Sequence, residues 1–296
     1  MNGVIWGGIG ALTIGLGDFI ARFTTRALGP LRALFGVTLI SSLVLVIYAW
    51  ATDMSFGSDP YAWAMAMLSG VLNLLGLLCL YAALARGPIS VASPIVAAHP
   101  AIVVMMTVPL GIIPTPAQWF GIILILVGAM AVGAQGRHSL NSEDGQKVSI
   151  VPTLLLATAS MFLIAGRLFS AQEASVLLGP GQVTLISRLV PLVLLTLAIS
   201  IALIRRQIPG LVPIKWWPLV SLHGIIETIG IAAVLIGSVG IGRAIAPVVF
   251  SAFTAVTVLL ARIFLKEKVS LGQWGAILVI IAGISVLAVA AQNPAN

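Results

Sequence analysis

Charged residues are scarce in this sequence. They make up 8% of its 296 positions, whereas a soluble domain carries about 25%. A chain that is 60% hydrophobic cannot cover a globule with polar side chains, so its solvent must be lipid. The net charge of +7 does not indicate a nucleic-acid partner, because the 15 Lys and Arg residues that produce it lie in short segments beside apolar runs.

The sequence has a single cysteine and lacks the common catalytic motifs. The single Cys79 excludes an intramolecular disulfide and a cysteine-rich metal site. No phosphate-binding loop, nucleophile elbow, metal-ligand cluster or HExxH motif occurs. The sequence therefore predicts no cofactor, no enzymatic activity and no ATP-driven pumping by this chain alone. Charge is lacking before Val4, which argues against a cleaved signal peptide.

Apolar windows of about 20 residues, the length that crosses roughly 30 Å of hydrocarbon, are abundant instead. They predict an all-α polytopic membrane protein whose transmembrane helices are separated by breaks rich in Pro and Gly. The ten predicted spans lie at 4–24, 33–51, 61–84, 90–110, 116–135, 150–170, 183–204, 216–237, 244–264 and 271–291.

The second half of the chain repeats the pattern of the first at an offset of about 154 residues. The matched positions are Pro94 with Pro247, Gly70 with Gly224, Gly76 with Gly230, Gly87 with Gly240, Gln118-Trp119 with Gln273-Trp274, and Gly128 with Gly283. We divide the chain into a first five-helix repeat (1–136), a linker (137–148) and a second five-helix repeat (149–296). Because five is odd, the repeats enter the membrane in opposite orientations, as in transporters that alternate access to a central site.

Lys and Arg are distributed unevenly between the ends of the predicted spans. Twelve fall on one side, and at most three fall on the other, namely Arg167, Arg188 and Arg243. The positive-inside rule then predicts both termini outside a bacterial-type inner membrane.

A resemblance to a known family rests on the duplication, the ten spans and the segment LKEKVSLGQWGAILVIIAGISVL. The sequence resembles the EamA-type branch of the drug/metabolite transporter superfamily. Glu267, Gln273, Gly275 and Gly283 fit that family's turn with a Glu before a Gly-spaced last helix, whereas IPTPAQW in the first half has no Glu. The resemblance implies an exporter of amino acids, related compounds or drugs. It also implies a cavity between the first four helices of each half, and a fifth helix that braces the bundle or dimerises.

Polar side chains within the spans are the candidates for binding substrate or coupling ions. A charge at a helix centre costs about 2.5–3.5 kcal/mol on insertion scales, so it persists where it faces protein or a water-filled cavity. His223 and Glu227 lie four residues apart, on one helix face. Our hypothesis is a proton-coupling carboxylate modulated by the histidine, and the alternative is a structural hydrogen-bonded pair. The repeat-equivalent positions, Ser69 and Asn73, are polar but do not titrate.

Asp18 and Arg22 have the same four-residue spacing in the first span. They form either a self-neutralised pair beside a cavity or a site for the amine and carboxylate of a zwitterion. Arg22 lies near the helix end, where an arginine commonly reaches the interface. His99 precedes Pro100, a break typical of cavity-lining helices, although a histidine in a helix more often makes a structural hydrogen bond.

Two arginines lie on the side that is poor in positive charge. Arg188 and Arg167, the latter followed by Gln172 and Glu173, are candidates for attracting an anionic group of the substrate. A packing or interfacial role is the alternative. We interpret Arg32 as the repeat equivalent of Arg188, because each begins the second span of its half.

The sequence as a whole predicts a secondary transporter of small metabolites that works by alternating access. Its partners would be a small-molecule substrate, the bilayer and, in one hypothesis, protons, and it would act as a monomer or homodimer. A proton-independent facilitator or exchanger is the alternative. Rivals from other classes are a membrane-embedded enzyme, which would need a nucleophile or metal set, and a non-transporting scaffold.

Overall fold

The structure is a computed structural model that describes residues 2–86, 95–96, 98–134, 151–207, 210–265 and 270–290. The regular secondary structure of these residues is entirely helical and contains no strand, which confirms the all-α prediction. The predicted linker at 137–148 lies outside the described residues, as do Gly87, Pro94 and Glu267.

Eleven α-helices occur in the described residues, and several begin at a proline that the sequence analysis treated as a break. In chain order they are α1 (Asn2–Leu28), α2 (Pro30–Ala51), α3 (Pro60–Arg86), α4 (His99–Thr107), α5 (Pro116–Ala134), α6 (Val151–Leu178), α7 (Pro180–Ile204), α8 (Trp217–Gly237), α9 (Gly242–Phe250), α10 (Phe253–Leu265) and α11 (Leu271–Ala290).

Seven helical segments are long and apolar enough to cross a membrane by length and composition. They are α1, α2, α3, α6, α7, α8 and the segment Gly242–Phe264, which includes α9 and most of α10. The other three predicted spans hold shorter apolar stretches within the described part of the chain, at His99–Leu110, Pro116–Gly128 and Trp274–Leu287. The chain is therefore a helical integral membrane protein.

A Gly-Pro pair separates the first two helices of each half. Gly29 and Gly179 have φ values of 80° and 78°, a region in which L side chains are strained and glycine is not. Pro30 and Pro180 then occupy the first positions of α2 and α7, where the missing N–H would have had no partner within the helix. The same local chemistry thus produces the same turn twice.

These two turns also fix the correspondence between α2 and α7. When the two prolines are aligned, Arg32 corresponds to Gln182, and Arg188 corresponds to Thr38. The register corrects the interpretation of Arg32 as the equivalent of Arg188. Arg188 lies more than two turns inside α7, deeper than a residue at the start of a span.

The ninth predicted span, 244–264, is not one continuous helix, because a turn separates α9 from α10. Pro247 lies inside α9 and cannot donate a backbone hydrogen bond. The amide of Ser251 contacts the carbonyls of Pro247 at 3.2 Å and Val248 at 3.1 Å, and the next amide also bonds three residues back. Such bonds tighten a helix end. Hydropathy did not reveal the break because the whole segment is apolar.

Helices from the two halves of the sequence interleave. The helix α3 packs along α6, α1 along α8, and α5 along α11. The helix α2 contacts α7 and α8, and α7 also contacts α3. Two serines bridge such pairs: Ser41 Oγ donates to the Gly224 carbonyl at 3.0 Å, and Ser160 Oγ donates to the Gly76 carbonyl at 2.8 Å. Each of these interhelical contacts therefore joins a helix of the first half of the sequence to a helix of the second half.

Glycines allow α5 and α11 to approach closely. A Cβ atom on Gly283 would lie 2.9 Å from the Gly121 carbonyl oxygen and 3.0 Å from the Ile125 amide nitrogen. Gly128 is similarly confined, since its Cβ would lie 3.0 Å from the Ala276 carbonyl oxygen. Close backbone approach at small residues is the usual basis of helix association in lipid.

We expect Gly283→Ala to destabilise the protein by about 1–3 kcal/mol, the usual range for overpacking. The new methyl group would collide with backbone atoms of α5, which cannot rotate away. Thermal unfolding of the purified protein in detergent should show a lower midpoint.

Gly275→Ala is the matched control, because the space around a Cβ at this position of the same helix is open. Its midpoint should stay the same or rise slightly, since alanine is the better helix former. Equal losses in the two variants would contradict a packing role for Gly283.

Candidate functional site

A cavity of about 70 Å³ lies between α1, α3, α6 and α8, and side chains from α4, α9 and α10 complete its lining. Most of the lining is apolar, for example Ile14, Leu77 and Phe250. The polar part comes from five different helices. It contains six of the eight predicted site residues, namely Asp18, Asn73, His99, Arg167, His223 and Glu227.

Glu227 is paired across a helix interface with Arg188 rather than along its own helix with His223. Arg188 Nη2 donates to Glu227 Oε1 at 2.8 Å, and the two residues are only 1% and 6% exposed. Arg188 comes from α7 and is not part of the cavity lining. Glu227 Oε2 has no hydrogen-bond partner among the described residues. Arg188 thus compensates the carboxylate from outside the cavity.

Arg167 has a weaker partner. Its Nη1 donates to Asn73 Oδ1 at 3.4 Å, a distance beyond the 2.7–3.2 Å typical of N–H···O bonds. Both residues are buried, and Arg167 Nε has no partner in the described part of the chain. The helices α3 and α6, which pack along each other, bring the two side chains to the cavity.

The two histidines line the cavity from different helices, His99 from α4 and His223 from α8. His99 Nδ1 lies 2.8 Å from the Val96 carbonyl oxygen, so this nitrogen carries the proton. Its Nε2 has no partner among the residues described, and neither has His223 Nδ1. The His223 ring packs against Gly17, where an added Cβ would lie 3.3 Å from the ring. Both rings are fixed by packing and keep free hydrogen-bonding capacity.

The predicted pair of Asp18 and Arg22 is divided between two environments. Asp18 lines the cavity from α1 and is half-buried. Arg22 lies one turn further along α1, is also half-buried and is not among the lining residues. The acid therefore belongs to the cavity and the arginine to the region nearer the end of α1.

Tyr81 is a cavity residue that the sequence analysis missed. It is 2% exposed and lies eight residues after Asn73 on α3. Positions i, i+4 and i+8 lie near one side of an α-helix, so the spacing from a polar candidate was the signal that could have identified it.

A second polar cluster joins α6 to α8 and α9 at one end of the bundle, and we call it the α6–α9 tie. Arg243 Nη2 donates to Glu173 Oε1 in an ion pair. Gln172 Nε2 donates to Ser238 Oγ at 3.1 Å and to the Arg243 carbonyl at 3.1 Å. None of these four residues lines the cavity.

The charges at the cavity are balanced when the histidines are neutral. If Asp18 is ionised as well as Glu227, the two acids oppose Arg167 and the adjacent Arg188, and the buried region carries no net charge. Such a region is compatible with a small polar molecule that brings no net charge of its own. Within the described residues there is no group of three or more His, Cys, Asp or Glu side chains that could hold a metal ion.

Comparison with known proteins gives one family and a set of similar structures. The model of the EamA-like transporter family matches residues 1–134 and 151–289. No curated protein matches the chain. Among solved structures 28 chains match. One of them, described as "Crystal structure of protein", has a TM-score of 0.73 and 18% identity, with 99% of each chain covered. At this identity the likeness establishes the fold alone.

Removing one partner of the Arg188–Glu227 pair should destabilise the protein by about 3–5 kcal/mol, because the other charge would stay buried without compensation. Arg188→Met and Glu227→Met should each lower the midpoint of thermal unfolding in detergent. The double variant should recover most of the loss, since no member of the pair then remains charged. Additive losses in the double variant would contradict the pairing.

Proposed function

Because the chain belongs to the EamA-like transporter family, within the drug/metabolite transporter superfamily, we propose that it is a secondary transporter that exports a small metabolite by alternating access. The observation that carries this proposal is the buried, charged cavity between helices from both halves of a membrane-spanning chain. Charges at this depth persist where they serve a pathway or a packed interface.

The proposed architecture is ten spans in two inverted five-helix repeats at 1–136 and 149–296. Two observations support it. The family model matches two separate segments of similar length, 1–134 and 151–289. The helix contacts also keep their pattern when the halves are exchanged, because the pair α3–α6 becomes α8–α1 and the pair α2–α8 becomes α7–α3.

Alternating access requires the cavity to change size and exposure. Its volume of about 70 Å³ is below the roughly 300–1,000 Å³ of small-molecule sites. Ser238, the residue of the α6–α9 tie at the end of α8, lies about 16 Å from Glu227 along the helix axis, given a rise of 1.5 Å per residue. We propose that the tie closes the cavity toward this end, and that it breaks when the substrate enters or leaves there.

Glu227 is the proposed coupling residue. When the carboxylate accepts a proton, it loses its negative charge and its attraction for Arg188. Proton binding by Glu227 therefore competes with the Arg188–Glu227 ion pair. Asp18, His223, Arg167 and Tyr81 face the same cavity, so their charges and hydrogen bonds would influence proton binding by Glu227. A proton-independent facilitator or exchanger is the second candidate, and the existing compensation of Glu227 by Arg188 favours it.

The proposed location is a bacterial-type inner membrane with both termini outside, which follows from the distribution of Lys and Arg. The protein would act as a monomer or homodimer. The α5–α11 pair, which contributes no side chain to the cavity lining, is suited to brace the bundle or to form a dimer contact.

Glu227→Gln should reduce substrate flux in proteoliposomes by about tenfold or more, which corresponds to roughly 1.4 kcal/mol. The amide retains the size of the side chain but can neither bind a proton nor pair with Arg188 as an anion. The compounds to test are the metabolites that cells overproducing the chain export. Their flux is then measured in proteoliposomes with and without a proton gradient.

Asp53→Asn makes the same chemical change at an exposed turn, where asparagine accepts the positive φ of 45°. It should transport like the parent protein. Wild-type flux in Glu227→Gln would rule out an essential carboxylate there. Accumulation that survives collapse of the gradient would select the facilitator or exchanger over the antiporter.

Weakening the α6–α9 tie should open the cavity. In a Cys79→Ser background, a cysteine at the cavity position Ile231 is labelled with a hydrophilic maleimide in detergent micelles. Arg243→Gln should raise the labelling rate about tenfold, because loss of an ion pair worth about 1.4 kcal/mol shifts a closed–open equilibrium by that factor.

Arg205→Gln is the matched control, since Arg205 is an exposed arginine at the end of α7. It should leave the labelling rate unchanged. Equal rates in the Arg243→Gln and parent proteins would show that the tie does not close the cavity.

A further inference from the structure

Two buried arginines stand beside the cavity, and their partners differ in charge. Arg188 donates to a carboxylate, Glu227 Oε1, at 2.8 Å. Arg167 donates to a neutral amide, Asn73 Oδ1, at 3.4 Å. Asn73 occupies the position of α3 that corresponds to Glu227 on α8, when Gly70 and Gly76 are aligned with Gly224 and Gly230. At this position one half of the chain supplies an anion and the other does not.

Arg167 is therefore the buried cation of the cavity whose described partner is uncharged. It is 7% exposed, and its Nε has no hydrogen-bond partner in the described part of the chain. A buried guanidinium is strongly favoured when it forms paired, charge-assisted hydrogen bonds with an anion. Its position in the lining makes it accessible to a molecule within the cavity.

We propose that Arg167 binds a carboxylate group of the transported substrate, and that Asn73 positions this arginine without neutralising it. This inference rests on the proposed transport function and names the substrate class, a small molecule with a carboxylate. Asp18, which lines the cavity from α1, then faces the cationic or hydrogen-bond-donating part of the same molecule. A zwitterion satisfies both ends and leaves the balanced charge of the cavity unchanged.

The charge environment favours one negative group rather than two. Glu227 already forms an ion pair with Arg188, whereas the hydrogen-bond partner of Arg167 among the described residues is the neutral Asn73, so Arg167 can pair with an incoming carboxylate. A dianion such as a phosphate monoester would bring a second negative charge toward Asp18 and the free oxygen of Glu227. Repulsion between like charges in a region of low dielectric opposes that arrangement. A planar carboxylate also matches the fork of a guanidinium.

The test compares each acid with its own amide. The reconstituted protein is given the common amino acids as free acids and as carboxamides, together with cationic and neutral metabolites of similar size, and initial rates are measured. The parent protein should prefer acids. Arg167→Gln should reduce the acid-to-amide ratio about 10–100-fold, the range expected for losing a hydrogen bond to a charged group.

Asn73→Asp is the decisive variant because it supplies Arg167 with an internal carboxylate of nearly the same shape. It should reduce the acid-to-amide ratio as strongly as Arg167→Gln does, while its unfolding midpoint in detergent stays the same or rises. Asn73→Ser is the matched control, since it removes the same hydrogen bond without adding charge. It should keep a preference for acids, because Arg167 keeps its charge, but should transport more slowly, because Arg167 loses its positioning contact.

The outcomes separate the substrate class from transport itself. A folded Asn73→Asp protein that keeps the parental acid-to-amide ratio would overturn the role of Arg167. So would a parent protein that moves only compounds without a carboxylate, although transport would then stand. If the parent protein moved no compound of any class, the proposed function would fail together with this inference.

Discussion

A charge inside the membrane must be compensated, and the pair of Arg188 and Glu227 meets this requirement at the centre of the molecule. Their 2.8 Å contact joins α7 to α8 in a region where both residues are almost fully buried. The pair allows one carboxylate oxygen to stand beside an otherwise largely apolar cavity. Without the arginine, a carboxylate there would have to be protonated or solvated. The polar centre of the bundle therefore depends on a residue that does not line the cavity.

The two halves of the sequence have the same Gly-Pro turn and matching helix contacts, but they differ in the chemistry that they bring to the cavity. The Gly-Pro turns at Gly29 and Gly179 have nearly the same backbone conformation, and the main helix pairs keep their pattern when the halves are exchanged. The charged pair of Arg188 and Glu227 nevertheless corresponds to Thr38 and Asn73. The cavity is therefore chemically asymmetric. The acid Glu227 has an ion-pair partner in Arg188, whereas Arg167 has the neutral Asn73.

The helices could be predicted from the sequence because length, hydropathy and Pro-Gly breaks are local properties. The candidate residues could be found because charge is rare in the spans, so only a few side chains there were candidates for a functional site. Their partners could not be predicted. The contact of Arg188 with Glu227 and that of Arg167 with Asn73 connect different helices, and both depend on how those helices pack. The break between α9 and α10 was not predicted for another reason, because hydropathy does not distinguish an apolar turn from an apolar helix.

The position of Arg167 on α6 would connect the proposed substrate binding to the proposed closure. Glu173, which forms the α6–α9 tie with Arg243, lies on the same helix and about 9 Å away along its axis, given 1.5 Å per residue. If α6 moves as a nearly rigid body, a carboxylate that pulls on Arg167 would also displace Glu173. The tie contains an ion pair and the two hydrogen bonds of Gln172, and it connects α6 to helices of the same half. If Arg167 binds the substrate as proposed, the energy of that contact is available to break or reform the closure, and α6 is the element that transmits it.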